Sequence, residues 1–181
     1  TLLVGTLLLA FRGRFPELRV RFDPVNWLLG VVAGLVVLVI WVAPEKLLEP
    51  LLFTTPKGFH PYLYAEAGVP VAMVIGVRIL GASVVVPIME ELFWRSFLMR
   101  YLVHSNFREV AMGTFRLVPF LIVSVAFGFE HHRWLVGILA GLVYGGLLVW
   151  RRDLFTIVLA HAVTNLGLGI YVVVTERWSF W

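Results

Sequence analysis

The chain has 181 residues, of which 60% are hydrophobic and 14% are charged, with a formal net charge of +4 and no cysteine. Its mean hydropathy is +0.92, whereas soluble globular domains contain about 45–50% apolar residues. These values exclude a soluble domain, disulfide bonds and a cysteine nucleophile. They predict an all-α polytopic transmembrane helical bundle, with residues 1–181 forming a single membrane domain. A helix needs about 20 residues to cross a bilayer, so five or six crossings would fill this length.

The first third of the chain contains two apolar runs, followed by a more polar connection. Residues 1–11 are too short to cross a bilayer and lack the basic region of a signal peptide, so we interpret them as the remainder of a truncated helix. Residues 25–44 are free of charge and carry Trp27 and Trp41 near their ends, as a membrane span with interfacial aromatics would. Residues 43–68 are rich in proline and mixed in charge, which predicts an irregular or partly interfacial connection.

The next helical pattern runs from residue 69 to about residue 103. Roughly 36 residues would extend about 50 Å, which is too long for one straight crossing. Gly81 and Pro87 are the candidates for a bend, since proline lacks a backbone donor. Arg78 lies in the first half of this pattern. It is either an interior partner for a carboxylate or a residue that reaches the membrane interface.

Three further apolar segments complete the predicted bundle, at residues 117–131, 134–150 and 154–175. The middle segment carries glycine at every fourth position, at Gly137, Gly141 and Gly145. Such a ladder lets helix backbones approach closely, so we interpret it as a packing surface.

Basic residues concentrate in alternate loops. Four arginines follow the first segment, three lie within residues 100–116 and two at 151–152, against four Lys and Arg in the opposite loops. This bias places the first set in the cytoplasm and predicts a multi-pass protein of the cell (inner) membrane. Because orientation explains these charges, they do not indicate a nucleic-acid partner.

Ionisable side chains interrupt the apolar pattern between residues 87 and 101. Glu90, Glu91 and Arg95 lie there within six residues, although each costs several kcal/mol in lipid by most estimates, so we predict a function for them. Glu91 and Arg95 are four residues apart on one helix face and predict an ion pair. Glu90 points about 100° away, towards some other partner.

Two later segments each carry a histidine. His131 follows Phe127 by one turn, and His161 shares a helix face with Asn165. A lone histidine on an apolar face is usually a satisfied core residue, but polar groups on three helices favour a function. Simple alternation nevertheless puts His131 near the outer end of its helix and His161 about two turns from the inner face. Tilt, a re-entrant segment or a different helix boundary is needed to bring the two together.

The motifs E-E-x-x-x-R, F-x-x-x-H and H-x-x-x-N occur in this order over about residues 69–174. Together they resemble the CAAX prenyl protease and bacteriocin-processing family of intramembrane peptidases. The stretches H-H-R-W-L and L-A-H-A-V-T-N-L look like the bacterial branch associated with the exosortase and PEP-CTERM sorting system. Ser96 departs from the family pattern, since many members have glycine after the arginine. This difference affects local packing more than the chemistry.

The resemblance implies an intramembrane endopeptidase with a polar catalytic cavity. In it Glu90 and His131 would activate a water molecule, and His161 and Asn165 would hold the oxyanion of the tetrahedral intermediate. Glu130 and His132 would be interfacial neighbours of the site. The substrate would be a peptide or protein, with or without a lipid, at the lipid bilayer. The predicted site residues are Glu90, Glu91, Arg95, His131, His161 and Asn165.

Metal involvement and two other functions are alternatives to this interpretation. Glu90, His131 and His161 are a plausible Zn²⁺ set, but neither H-E-x-x-H nor H-x-x-E-H occurs, and we favour a metal-free mechanism. A non-catalytic membrane scaffold or escort would bind a partner protein through the same cavity. A transporter would use the carboxylates as a proton relay, which is the least favoured function because no internal repeat is visible.

Overall fold

Six α-helices form the bundle within residues 2–20, 22–44, 58–64 and 68–181, which a computed structural model describes. The all-α prediction is confirmed, and most of the connection predicted at residues 43–68, with Lys46 and Lys57, lies outside the described residues. Single 3₁₀ turns lie at Arg12–Arg14, Pro16–Leu18, Pro61–Tyr64, Phe107–Glu109 and Trp178–Phe180. The helices are α1 Leu2–Ala10, α2 Pro24–Val42, α3 Val71–Tyr101, α4 Leu117–Phe129, α5 Trp134–Arg151 and α6 Leu154–Thr175.

Four of these helices, α2, α3, α5 and α6, are long and apolar enough to cross a membrane. The chain is therefore an integral membrane protein. Helix α4 is also apolar but has only 13 residues, about 20 Å, against a hydrocarbon thickness of about 30 Å. The part of the chain that the structure describes thus contains fewer full spans than the five or six that length alone predicts.

Helix α3 is continuous over 31 residues and includes two π-helical segments, Gly81–Val85 and Leu92–Leu98. The first begins at one predicted irregular position and ends just before the other, Pro87. Pro87 has no backbone N–H to donate, and the wider π-helical turn before it accommodates the missing hydrogen bond. Between the two π segments lies the α-helical turn Val86–Glu91, which carries both glutamates. Because π-bulges occur frequently at functional sites, the irregularity marks this turn as a candidate site.

The glycine ladder of α5 packs directly on α4, as the four-residue spacing predicts. A Cβ atom added at Gly141 would lie 2.9 Å from the carbonyl oxygen of Ser124. Only glycine lets two helix backbones come this close. The three ladder positions face, in order, Gly128, Ser124 and Phe120 of α4.

Replacing Gly141 with leucine is expected to destabilise the bundle by about 1–3 kcal/mol, because the new side chain must push α4 away. Gly146 is the matched control, since it lies on the same helix with no atom within 4 Å of its added Cβ. Thermal unfolding of the purified proteins in detergent measures the difference. We expect a lower midpoint for Gly141→Leu and little change for Gly146→Leu; equal midpoints would contradict the packing role of the ladder.

A second close crossing joins α2 to α6. Added Cβ atoms at Gly30 and Gly34 would run into the carbonyl oxygens of Thr156 and Ala160. The Thr164 hydroxyl donates a hydrogen bond to the carbonyl of Gly34 at 2.8 Å. These two glycines are also four residues apart, but no close packing was predicted for them from the sequence. Their packing fixes the position of α6, which carries His161.

The three basic loops predicted on one side of the membrane meet at one end of the bundle. Arg151 donates to the side chain of Asn26 at 2.6 Å and lies 3.7 Å from Asp23. Arg100 lies 3.8 Å from Glu17 in the connection after α1. The shared end agrees with the alternation of the loops, and its cytoplasmic orientation stays a prediction.

Candidate active site

A buried carboxylate links two helices at the centre of the bundle. Nη1 of Arg95 donates to Oε1 of Glu91 at 3.0 Å, so the ion pair predicted from the four-residue spacing is present. Nδ1 of His161, on α6, lies 2.9 Å from the same oxygen. Because a carboxylate only accepts hydrogen bonds, Nδ1 of His161 carries the hydrogen. The sequence did not predict that Glu91 would contact His161.

Aromatic rings surround the guanidinium group of Arg95. Its central carbon lies 4.2 Å from the centroid of Phe127 and 5.8 Å from that of Tyr144. The residue is only 1% exposed, and Glu91 is 0% exposed. Ring faces attract cations, and this attraction is stronger when water is absent. Arg95 therefore compensates the buried charge of Glu91 inside an aromatic enclosure.

Glu90 faces the opposite edge of the same imidazole. Its Oε2 lies 3.9 Å from Nε2 of His161, beyond direct hydrogen-bond distance. This oxygen is buried and accepts no hydrogen bond from the described residues. Buried polar atoms usually have a partner, and a separation of this size suits one bridging oxygen atom. The two adjacent glutamates thus face the two ring nitrogens of a single histidine, Glu91 at Nδ1 and Glu90 at Nε2.

His131 follows the end of α4 with one ring nitrogen already bound. Its Nδ1 lies 2.8 Å from the carbonyl oxygen of Phe127, which can only accept, so Nδ1 is the donor. A neutral imidazole carries one hydrogen, which here is on Nδ1. The neutral ring leaves Nε2 as a hydrogen-bond acceptor.

Asn165 and Tyr144 complete the polar surroundings of His161. Nδ2 of Asn165 donates to the carbonyl of Ala82, in the first π segment of α3, at 2.8 Å. An amide group has a second N–H, which remains for a ligand. The ring of Tyr144 stacks on His161 at 5.2 Å between centroids, and its hydroxyl donates to Thr164. Both contacts hold α6 in a fixed orientation towards α3 and α5.

A cavity of about 180 Å³ joins the two histidines. His131, His161 and Asn165 line it, and aromatic side chains at the end of the chain, Phe180 and Trp181, contribute to its wall. Glu90 does not line this cavity. It faces His161, which does. The cavity provides a place where a small part of a ligand can meet imidazole and amide groups.

Helix α4 is short, and His131, just beyond its end, lines the same cavity as His161. A helix of 13 residues advances about 20 Å, which is less than the roughly 30 Å thickness of a hydrocarbon layer, and His131 lies two residues beyond its end. The rings of both histidines contact Phe127, at 4.9 Å and 5.9 Å between centroids. The two histidines therefore lie close to each other, around Phe127.

The structure shows the surroundings of three charged or polar neighbours of the site that the sequence analysis named. Arg78 pairs with neither carboxylate, because its guanidinium lies over the rings of Phe59 and Trp181, at 4.3 Å and 5.2 Å. Glu130 and His132 are exposed, and their position at a membrane interface stays a prediction. Glu130 also accepts a hydrogen bond from the indole of Trp94 at 3.0 Å, which ties the end of α4 to α3.

Sequence reasoning missed the aromatic lining of the site. Tyr144 lies among the ladder glycines of α5, and its hydroxyl in an apolar helix was the available signal. Trp41 packs edge-on against His131, with 5.3 Å between ring centroids. It had been interpreted only as an interfacial aromatic.

The alternative zinc set does not converge in the described part of the chain. No three His, Cys, Asp or Glu side chains there form a group able to hold a metal ion. The Nδ1 atoms of His131 and His161 both donate to protein oxygens, which leaves one nitrogen on each ring. We therefore derive no chemical step through a metal.

Comparison with known proteins identifies the family. Residues 72–167 match the family model described as type II CAAX prenyl endopeptidase Rce1-like, which covers more than half of the chain and includes α3, α4, α5 and most of α6. No curated protein and no solved structure matches the chain. The match gives no support to the exosortase and PEP-CTERM branch, which stays a prediction. The chain therefore belongs to the Rce1-like family of type II CAAX prenyl endopeptidases.

Proposed function

We propose that the chain is an intramembrane endopeptidase that hydrolyses a peptide bond of a membrane-associated protein or prepeptide. Membership of the family implies a protease and hence a peptide substrate. The observation that carries the proposal is the arrangement of two buried carboxylates around one imidazole. Glu91 contacts Nδ1 of His161, and Glu90 faces Nε2 across 3.9 Å.

In this proposal Glu90 is the general base. A water molecule placed between Oε2 of Glu90 and the histidines is deprotonated by the carboxylate as its oxygen attacks the carbonyl carbon of the scissile bond. His131 accepts at Nε2 a hydrogen bond from the other O–H of this water, which keeps that hydrogen, and so orients the attacking lone pair. Glu90, now protonated, later gives the proton to the nitrogen of the leaving amine. Water is thereby divided between the new carboxyl group and the new amino group.

His161 and Asn165 stabilise the negative charge that develops on the carbonyl oxygen. His161 donates from Nε2 when its ring is protonated, since Nδ1 already donates to Glu91. Asn165 offers the second N–H of an amide that Ala82 already holds in place. Donors that are positioned before the reaction need no reorganisation as the charge appears. Glu91 and Arg95 serve as positioning residues for His161.

Replacing Asn165 with alanine is expected to lower kcat about 10²- to 10³-fold with a smaller change in KM, because the amide acts on the oxyanion. The matched control is Leu166→Ala, which shortens the next side chain on α6. Leu166 is 44% exposed, so it does not point into the site. Cleavage kinetics in nanodiscs, together with thermal unfolding, measure both effects. An Asn165→Ala protein with unchanged kcat would remove Asn165 from the proposed oxyanion site.

Comparative proteomics of membrane fractions tests the function itself. Cells with the wild-type protein and cells with Glu90→Ala are compared for proteins whose termini differ, and Glu176→Ala, an exposed acid after α6, is the control. We expect at least one membrane-associated protein to be shortened with the wild-type and control proteins only. Identical termini in all three, with biological function retained, would instead support a non-catalytic scaffold.

A further inference from the structure

A second cavity, of about 330 Å³, lies at the basic end of the bundle. It is bounded by the end of α3, including its second π segment, by the connection after α1 and by the 3₁₀ turn Phe107–Glu109. None of the proposed catalytic residues lines it. Three arginines and one acid do, namely Arg14, Arg100, Arg108 and Glu17.

Two of these four charged residues are held by other protein groups. The hydroxyl of Ser96 donates to Glu17 at 2.6 Å and accepts from Nη2 of Arg100 at 2.9 Å. Arg100 also donates from Nε to the carbonyl of Ser96 and from Nη1 to that of Val110. Ser96, where many relatives were expected to have glycine, therefore fixes the floor of this cavity. Glu17 and Arg100 offset each other in charge.

The other two arginines stand at the rim without an acidic partner. Among the described residues, Arg14 contacts the ring of Phe11 and Arg108 contacts the ring of Phe107, each at 5.9 Å. Both arginines are exposed, and no ion pair joins either of them to a carboxylate in the described ranges. Two guanidinium groups on one rim present a positive charge that the protein itself does not neutralise.

The cavity also has an apolar wall, which a candidate membrane-spanning helix forms. Leu92 and Phe97 line it, and both lie on α3, a helix long and apolar enough to cross a bilayer. A ligand that fits this site needs an anionic group for the rim and an apolar part for the wall. Guanidinium groups bind phosphate in fork geometry, and basic pockets at the cytoplasmic side of helical bundles suit anionic lipid head groups.

We propose that this cavity, defined by Arg14, Arg108, Leu92 and Phe97, binds the phosphate group of an anionic phospholipid. The phosphodiester lies between the two rim arginines, and the acyl chains extend along α3 beside Leu92 and Phe97. Arg100 and Glu17 hold the floor and do not need to move. The site is separate from the proposed peptidase chemistry, so its existence does not depend on that function.

The test compares lipid retention by native mass spectrometry of full-chain protein released from nanodiscs. The nanodiscs contain phosphatidylcholine with an equal amount of phosphatidylglycerol. The variant Arg14→Gln/Arg108→Gln removes the two rim charges. The matched control, Arg12→Gln/Arg116→Gln, removes two exposed arginines of the same end that do not line the cavity. A third arm adds millimolar inorganic phosphate to the wild-type protein.

We expect the wild-type protein to retain one phosphatidylglycerol in preference to phosphatidylcholine, and the rim variant to lose this preference by roughly tenfold or more. The control variant should change by less than twofold, and inorganic phosphate should not displace the lipid. An equal loss in both variants, or no preference in the wild-type protein, would overturn the proposal. Displacement by inorganic phosphate would overturn the lipid as the source of the phosphate group.

Discussion

The Glu90→Gln protein is expected to accumulate in the membrane at the wild-type level and to cleave substrate about 10²- to 10⁴-fold more slowly. Glutamine keeps the size and the hydrogen-bonding oxygen of glutamate but cannot take a proton from water. Oε2 of Glu90 accepts no hydrogen bond from the described residues, so the substitution breaks none of the contacts seen there. The loss should therefore fall on kcat with the fold intact.

Cleavage of an identified substrate, followed by gel shift or mass spectrometry, measures this loss. Glu176→Gln is the control, because it makes the same chemical change in an exposed acid at the end of α6. The control should retain full activity. Full activity in the Glu90→Gln protein would end the assignment of Glu90 as the general base.

The Arg95→Met protein is expected to lose about 3–5 kcal/mol of stability, because Glu91 would remain charged in the interior without its cation. Methionine keeps the approximate length of the side chain and its packing against Phe127. Glu91 is 0% exposed, so water cannot replace the guanidinium without entering the bundle. The loss is a large part of the 5–15 kcal/mol that usually stabilises a folded domain.

A double variant separates the charge effect from loss of packing. Glu91→Gln/Arg95→Met removes both charges, and the glutamine oxygen can still accept from Nδ1 of His161. We expect it to be more stable than Arg95→Met alone, since replacing a whole buried pair by neutral groups is often tolerated. Unfolding in denaturant, with Arg12→Met as the exposed control, gives the comparison. A double variant less stable than Arg95→Met would show that the ion pair is not the cause.

Helix boundaries could be predicted from the sequence where charged residues lie at the ends of an apolar run. Helix α6 has the predicted bounds, 154–175, because Asp153 caps its first turn by accepting from the backbone N–H of Thr156 at 3.0 Å. Asp23 caps α2 in the same way. The ladder on α5 was also predicted, since glycine spacing alone specifies which helix face admits a close neighbour.

Contacts between helices were not predictable from periodicity. The four-residue spacing of Glu91 and Arg95 gave their ion pair, but the contact between Glu91 and His161 joins residues 70 positions apart. Periodicity specifies the face on which a side chain lies and not the partner that it meets. The proximity of His131 to His161 was not predictable for the same reason, although the bounds predicted for α4, 117–131, are close to those observed.

Oxygen-18 incorporation by purified protein tests most directly whether the chain hydrolyses a peptide bond with water activated at Glu90. The protein, in nanodiscs, cleaves the substrate found by proteomics in a buffer of H₂¹⁸O during a single turnover. We predict that the wild-type protein places one ¹⁸O atom in the new carboxyl group and that Glu90→Gln yields almost no product. An intact substrate, or a cleaved product without the label, would contradict the proposed function.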